Sequence, residues 1–404
     1  MFYFGIDWST RFHVLCIRNE AGARISQIRF EPTPAGFAQI EAERRKLAAP
    51  AAECPVAIET AANLVVDYLL ERSYPVYIVP PQATAAYRNR QRSSGAHDDD
   101  SDAALLAGIL RTDRASHRQW QPNSALTQQI LAQVRLIESL RRSIQRQANQ
   151  LCAVLARTYP TALELFSDVT AQITLQFLAA YPTAAEAQAL SQAAFEQFCR
   201  EHDYRRTDKL PSGYAQLVAA QPAAAPAVAQ AYRTQVRSLA EVLLVQVRCQ
   251  TQAGRELAQL LAAHPDAFIF ESLPGAGALL APALLAKFGD ERSRFPTAGE
   301  VQALAGTCPV TKRSGQKTLI QFRKGCDREF RRICQQFARA SVAKSGWAAA
   351  YWAEIRPDCD SDSHAYRILA NRWLAIIWKL WHSRQAYDEA YHLQQRALRR
   401  KPRA

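Results

Sequence analysis

Four acidic positions in the first quarter of this 404-residue chain have the type and surroundings for hard-metal chemistry. Asp7 closes the apolar run Tyr3-Phe4-Gly5-Ile6, and Glu59 closes a second run, Val56-Ala57-Ile58. A carboxylate at the end of a buried strand is costly unless something neutralises it, and a divalent cation does so. The third contributor is His97-Asp98-Asp99-Asp100-Ser101-Asp102, directly before the helical run Ala103–Leu110. On a helix, Asp99 and Asp102 stand at i and i+3 and share a face. Asp98 and Asp102 form an i, i+4 pair, so periodicity leaves the choice among Asp98, Asp99 and Asp100 open. Asp7, Glu59, Asp99 and Asp102 together suit two Mg²⁺ ions about 3.5–4 Å apart, the arrangement for in-line attack on a phosphodiester. Each feature has a plainer role: an acidic run caps a helix start and complements its dipole, and Asp7 can close a turn through Ser9 and Thr10. All three together, in one strand and helix order, are harder to explain as structure alone.

The second half carries two further motifs. Leu273-Pro274-Gly275-Ala276-Gly277 leads into an apolar helix reaching Ala286, like a helix-hairpin-helix element. The amides around Gly275 and Gly277 would receive a backbone phosphate; the alternative is an ordinary helix–helix turn. Further on, Ser314 lies between Arg313 and Lys317 on an expected flexible, cationic loop, where the cations would hold a phosphate against an attacking hydroxyl. A Ser-Gly turn by itself is most often structural. Arg323, Lys324 and Arg328, followed by Arg331 and Arg332, place cations at a helix start, suited to phosphate contacts or to a solvated basic face. His13, His264 and His364 have no partners at metal spacing and read as structural or surface residues. No Walker-type or dinucleotide glycine loop occurs, so nucleotide hydrolysis and hydride transfer find no support.

These residues need elements to position them. Strands are predicted over 3–7, 12–18 and 24–30, the last two joined by the turn Asn19-Glu20-Ala21-Gly22. A helix follows Pro34, then come a strand over 56–59, a helix over 61–72 and a strand over 75–79. The order β-β-β-α-β-α-β-α is that of a mixed sheet with helices on its faces, as in ribonuclease H-like folds. From Thr127 to Tyr159 there is no Gly and no Pro. Ile130, Val134, Ile137, Leu140, Ile144, Ala148, Leu151 and Leu155 recur three or four apart, forming one stripe of a long helix. Residues 227–264 are its counterpart, weakened by Gly254, so that the pair is expected to form a coiled-coil arm around an Ala/Gln-rich insertion. A Trp-rich helix around Trp373–Trp381 and a frayed basic tail complete the chain.

Composition sets the outer limits. Lys and Arg total 50 against 37 Asp and Glu, a formal charge of +13, which points to a polyanionic partner. The 48% hydrophobic content excludes a wholly disordered chain. No uncharged apolar run approaches the ~18 residues a membrane helix requires, and the opening segment lacks the pattern of a secretory signal. Nine cysteines, an odd number without a C-x-x-C pair, argue against a disulfide framework or zinc ribbon and for a reducing cytoplasm.

Taken in order, Gly5-Ile6-Asp7, Ala57-Ile58-Glu59-Thr60 and Asp99-x-x-Asp102-Ala103-x-x-Leu106-Ala107 resemble the carboxylate motifs of the DEDD transposases of bacterial insertion elements, the IS-one-ten family. Leu273-Pro274-Gly275-Ala276-Gly277, Phe288-Gly289-Asp290, Arg294-Phe295, Ala305-Gly306 with Pro309, and Ser314-Gly315-x-Lys317 resemble that family's C-terminal motifs. The resemblance covers about 1–160 and 265–350. It implies a RuvC-like nuclease domain (1–122), a coiled-coil arm with insertion (123–264), a mostly helical transposase domain with the serine loop (265–390) and a basic tail (391–404). It further implies that Asp7, Glu59, Asp99 and Asp102 bind Mg²⁺ and that Ser314 is the nucleophile joined transiently to DNA. The implied partners are element and target DNA, a structured guide RNA, and further copies of the chain in dimers and tetramers, in the bacterial cytoplasm. Two positions depart from the family pattern: His97 replaces the lysine usual before the third carboxylate, and Arg323-Lys324-Gly325-Cys326-Asp327-Arg328 is one residue longer than the usual basic motif. The competing expectation is a junction-cutting nuclease that uses the carboxylates and water alone.

Overall fold

The strand over Phe2–Trp8 (β1) buries Phe4, Gly5 and Ile6 on both faces, which makes it central. In the computed structural model, which describes residues 1–91, 99–219, 224–314 and 317–400, it belongs to a five-stranded sheet. His13–Asn19 (β2) pairs antiparallel with β1, and Arg24–Phe30 (β3) with β2. Val56–Ile58 (β4) lies parallel to β1 on its other side, and Val76–Ile78 (β5) parallel to β4, giving the order β3-β2-β1-β4-β5. The short apolar runs of β4 and β5 are buried on both faces, as parallel strands usually are.

Phe4, Ile6, Leu15, Ile17, Val56 and Ile58 face two helices, Pro34–Lys46 (α1) and Leu64–Glu71 (α2). Asn63 caps α2 by accepting a hydrogen bond from the Val65 amide at 3.0 Å, so this helix starts three residues later than periodicity predicts. The opposite face is covered by Pro81–Gln91 (α3) and, across the sheet centre, by Asp99–Asp113 (α4). This unit, Met1–Pro122, is the mixed α/β sheet with helices that the sequence predicts.

Among the described residues, the second unit, Asn123–Ala404, is helical apart from one hairpin. Ala125–Thr158 (α5) is capped by Ser124 and packs along Pro226–Ala262 (α10). Ile130 and Val134 near the start of α5 share a core with Leu257 and Leu261 at the end of α10. Leu151 and Leu155 share another with Val236 and Ala240. The two long helices therefore run antiparallel. Between them, Gln172–Ala180 (α6), Ala184–Gln188 (α7), Gln192–Glu201 (α8) and Leu210–Val218 (α9) close over the far end around Phe166, Phe177 and Phe195.

At the near end follow Ala267–Glu271 (α11), Gly277–Phe288 (α12) and Ala298–Leu304 (α13). Then come the strands Val310–Ser314 (β6) and Lys317–Gln321 (β7), and the helices Arg328–Val342 (α14), Gly346–Ile355 (α15), Asp362–Ser383 (α16) and Glu389–Arg400 (α17). Phe288, Phe330, Phe337, Trp373 and Trp381 form their core. The basic tail is not frayed as expected but helical through Arg400. Glu389 accepts hydrogen bonds from the Ser345 hydroxyl and the Trp347 amide, and Arg396 donates to the Ala350 carbonyl, which anchors α17 on α15. No described helix is long and apolar enough to cross a membrane.

Candidate active site

Gly5 fixes the distance between the central strand and α4. A Cβ at this position would lie 2.1 Å from the Ala103 carbonyl oxygen and 2.3 Å from the Ala107 nitrogen, so only glycine allows the contact. Side chains two apart share a strand face, which puts Asp7 on the α4 side with Gly5. Its paired residue Val14 packs with Cys16 against Ala103. The other end of α4 is equally well marked, because Arg111 lies against Gly22 in the β2–β3 turn, beside the start of β1. The helix thus runs opposite to β1, and its first turn, Asp99 to Asp102, sits at the end of the strand where Asp7 is. Parallel pairing aligns Ile6 with Ile58, so Asp7 and Glu59 follow at the same level on neighbouring strands.

Three elements therefore bring Asp7, Glu59 and the start of α4 to one edge of the sheet. Asp7, Glu59 and Asp102 are all half-buried. His97 and Asp98 lie outside the described residues, and for Asp99 only the backbone is described. The donors are carboxylate oxygens, which fit a hard divalent cation in kind. Among the described residues, however, no three His, Cys, Asp or Glu side chains converge on one point. Instead, the Asp102 carboxylate accepts a hydrogen bond at 2.7 Å from Arg88 of α3, and both side chains are largely shielded. Arg88 thus supplies a positive charge to this edge, and Asp102 must release it to take a metal. Nothing around Arg88 in the sequence marks this role, because its partner is 14 residues away across a helix junction.

In the second unit, Ser314 is the last residue of β6, paired with Lys317 across the hairpin. This corrects the expectation of a flexible loop. The partly β-branched runs Val310-Thr311-Lys312-Arg313 and Thr318-Leu319-Ile320-Gln321 form strands on either side of Gly315 and Gln316, which lie outside the described residues. Ser314, Lys312 and Arg313 are exposed, as are Lys324 and Arg328 beyond the hairpin, while Arg323 is half-buried. A two-stranded hairpin exposed on both faces is marginal by itself; here its base is tied down by Arg323, whose guanidinium donates to the Cys308 carbonyl at 3.4 Å. The two glycines before α12 differ in role. Gly275, with φ +83°, would place a Cβ 2.7 Å from the Ala340 carbonyl and is required by packing on α14. Gly277, with φ +56°, has open space around it.

Two family models match the chain: one for a transposase domain of the IS110 DEDD type over residues 4–160, and one for the IS116/IS110/IS902 transposase family over residues 267–353. The “Mini-circle putative transposase for IS117” of Streptomyces coelicolor is 30% identical over 395 residues, 95% of each chain. The chain belongs to the IS110/IS116 family of transposases. The “Insertion element IS110 uncharacterized 43.6 kDa protein” of the same organism is 23% identical over 70% of each chain. The two family matches fall one on the carboxylate edge and its continuation into α5, the other on the segment that carries Gly275, Ser314 and the basic cluster.

Within this transposase, long-range polar contacts hold the segment after the hairpin. The buried Lys287 ammonium donates to Asp327 at 2.7 Å and to Glu329 at 2.6 Å, and Arg135 of α5 reaches Glu329 at 2.8 Å. Asp327 also caps α14 by accepting from the Phe330 amide. His264, expected to be a structural or surface residue, is buried against Thr127 at 3.0 Å and Asp290 at 3.1 Å. Hydrogen bonds from Arg135, followed by those from Lys287, hold the Glu329 carboxyl at about 2 against an ordinary value of 4.5. A carboxyl depressed in the folded state stabilises fully above pH 4.5 and loses that contribution as the pH falls towards 2. Lys287→Met leaves the half-buried Asp327 without its cation and Glu329 with Arg135 alone, and is expected to cost about 3 kcal/mol in urea unfolding at neutral pH. The deficit should narrow below pH 4.5, where Glu329 begins to protonate in the unfolded chain. A deficit that does not change with pH would mean that lost packing, not charge, is being measured.

Proposed function

We propose that this transposase breaks and rejoins DNA strands at the ends of its own insertion element, with the carboxylates Asp7, Glu59, Asp99 and Asp102 and the nucleophile Ser314 in one reaction. The observation that carries the first half is the close contact at Gly5, which sets the first turn of α4 beside the ends of β1 and β4. The sheet order and the two covered faces support a ribonuclease H-like, RuvC-like reading of this unit. Bound Mg²⁺ would activate the attacking hydroxyl and stabilise the departing oxygen. Asp7 and Glu59 would hold it from the strands, and Asp99 and Asp102 from the helix, Asp102 giving up Arg88.

For the second half, support comes from an exposed serine at the end of a strand flanked by Lys312 and Arg313. In the proposed step, the Ser314 oxygen forms a bond to phosphorus as the bond from phosphorus to one deoxyribose oxygen breaks. The serine proton leaves, and the departing deoxyribose oxygen takes one up. Attack by a deoxyribose hydroxyl of the new partner strand reverses the exchange and frees Ser314. Phosphodiester energy is conserved in the protein–DNA bond, so no nucleotide triphosphate is consumed. We further infer that Gly277, Arg313, Lys317, Arg323, Lys324 and Arg328 line a DNA path with Gly275 shaping its turn. Target and donor sequences are read by a structured RNA while the protein grips backbone. The reaction takes place in the bacterial cytoplasm, with the serine of one copy acting at the carboxylates of another within a dimer or tetramer.

The test is strand transfer with purified protein, RNA transcribed from the flanks of its gene, and labelled donor and target DNA in Mg²⁺. Recombinant junctions that require both Ser314 and Glu59 support the reading. Cleaved ends without junctions, made equally well by Ser314→Ala, would instead indicate water attack by a junction-cutting nuclease.

A further inference from the structure

Phe322 directly follows β7 and is 47% exposed. Two guanidinium groups lie over its ring, Arg331 of α14 at 4.3 Å and Arg367 of α16 at 4.9 Å from the centroid. Those two distances limit the separation of the cations to about 9 Å. Among the described residues, neither arginine forms an ion pair with a carboxylate. Arg331 donates to the Arg323 carbonyl and to the Cys326 sulfur, which fixes it against the loop, while its Nε is buried with no partner. Arg367 makes no hydrogen bond among the described residues. Burial, and after it the charge of Arg331, pull its guanidinium below its ordinary value. Two like charges held over one ring, with Arg323, Lys324 and Arg328 nearby in the chain, repel each other until an anion arrives. The sequence marked Arg331 only as one cation in a run, and nothing local drew attention to Arg367.

The cluster stands at the base of the hairpin that carries Ser314. Phe322 lies five positions beyond Lys317, the partner of Ser314, roughly 16 Å along an extended strand. One DNA strand carries a charge every ~3.4 Å along the helix axis, so that span corresponds to about five nucleotides.

We propose that Arg331 and Arg367, gathered over Phe322, form a phosphate clamp that grips the DNA backbone about five nucleotides from the phosphodiester presented to Ser314. The register rests on the reading of Ser314 as nucleophile; the clamp itself does not. The contact is with backbone and is therefore indifferent to sequence.

Affinity of the full-length Ser314→Ala protein for a labelled mixed-sequence duplex, measured across a salt series, tests the clamp apart from the chemistry. Arg367→Gln should weaken binding severalfold on unrelated sequences and reduce the log K against log salt slope by about 1, the effect of one lost phosphate contact. Arg367→Lys should retain the slope. Phe322→Ala removes an exposed ring that orders both cations and should weaken binding about two- to five-fold, which gives an independent reading if Arg367→Gln does not fold. An unchanged slope for a folded Arg367→Gln, unchanged affinity for Phe322→Ala, or a slope change seen only with single-stranded RNA would each overturn the proposal. Since all binding is read without the serine, a wild type that forms no adduct would count against the nucleophile and leave this result standing.

Discussion

Glu59→Gln is expected to lower DNA strand breakage and joining by at least ~10³-fold, about 4 kcal/mol of transition-state stabilisation, while the protein stays folded. Glutamine matches glutamate in size and removes only the charge, and Glu59 stands at the half-buried edge rather than in the core. A neutral amide is a poor ligand for a hard cation, and the edge then lacks one of the negative charges that balance it. Asp102→Asn should give a similar loss but is harder to interpret, because it also breaks the ion pair with Arg88 and leaves that guanidinium partly shielded and unmatched. The informative comparison is activity against thermal melting for both variants. An active Glu59→Gln protein would remove this carboxylate from the reaction.

The second large effect is structural. Gly5→Ala should cost about 3 kcal/mol or more, because its new methyl meets backbone atoms of Ala103 and Ala107 that no side-chain rotation can move. The only relief is for α4 to lift from the sheet, which separates Asp99 and Asp102 from Asp7 and Glu59. Activity is therefore expected to fall further than the loss of folded protein explains. Gly254 provides the contrast: it lies inside α10, and an added Cβ would meet nothing within 4 Å. Gly254→Ala should stabilise by about 0.5–1 kcal/mol through helix propensity alone. Urea midpoints of the two variants, measured side by side, should move in opposite directions.

What could be read from the sequence was what local patterning encodes. Alternation and apolar runs placed all five strands of the sheet to within a residue or two, and the uninterrupted stripe from Ile130 to Leu155 gave α5. The carboxylates at the strand ends stood out because charge directly after a buried run is unusual. Legibility failed where distant residues decide. The sequence around Ser314 reads as a loop because three basic residues, Lys312, Arg313 and Lys317, interrupt the β-branched residues Val310, Thr311, Thr318 and Ile320. The tail became helix because α15 offers Trp347 and Ala350 to Glu389 and Arg396, contacts spanning more than forty residues. Arg88, Lys287 and Arg367 carried no motif at all, and their roles follow from partners on other helices.

On this proposal, Ser314 takes DNA covalently in a reaction that needs the carboxylate edge. Wild-type protein, incubated with RNA from the flanks of its gene, donor DNA and Mg²⁺, should yield on denaturing gels a slow, protease-sensitive DNA band. Mass spectrometry of that band should place the phosphodiester on the Ser314 hydroxyl, and both Ser314→Ala and Glu59→Gln should lack it. DNA cleavage by the wild type with no such band, persisting in Ser314→Ala, would contradict the account and leave the carboxylates to activate water.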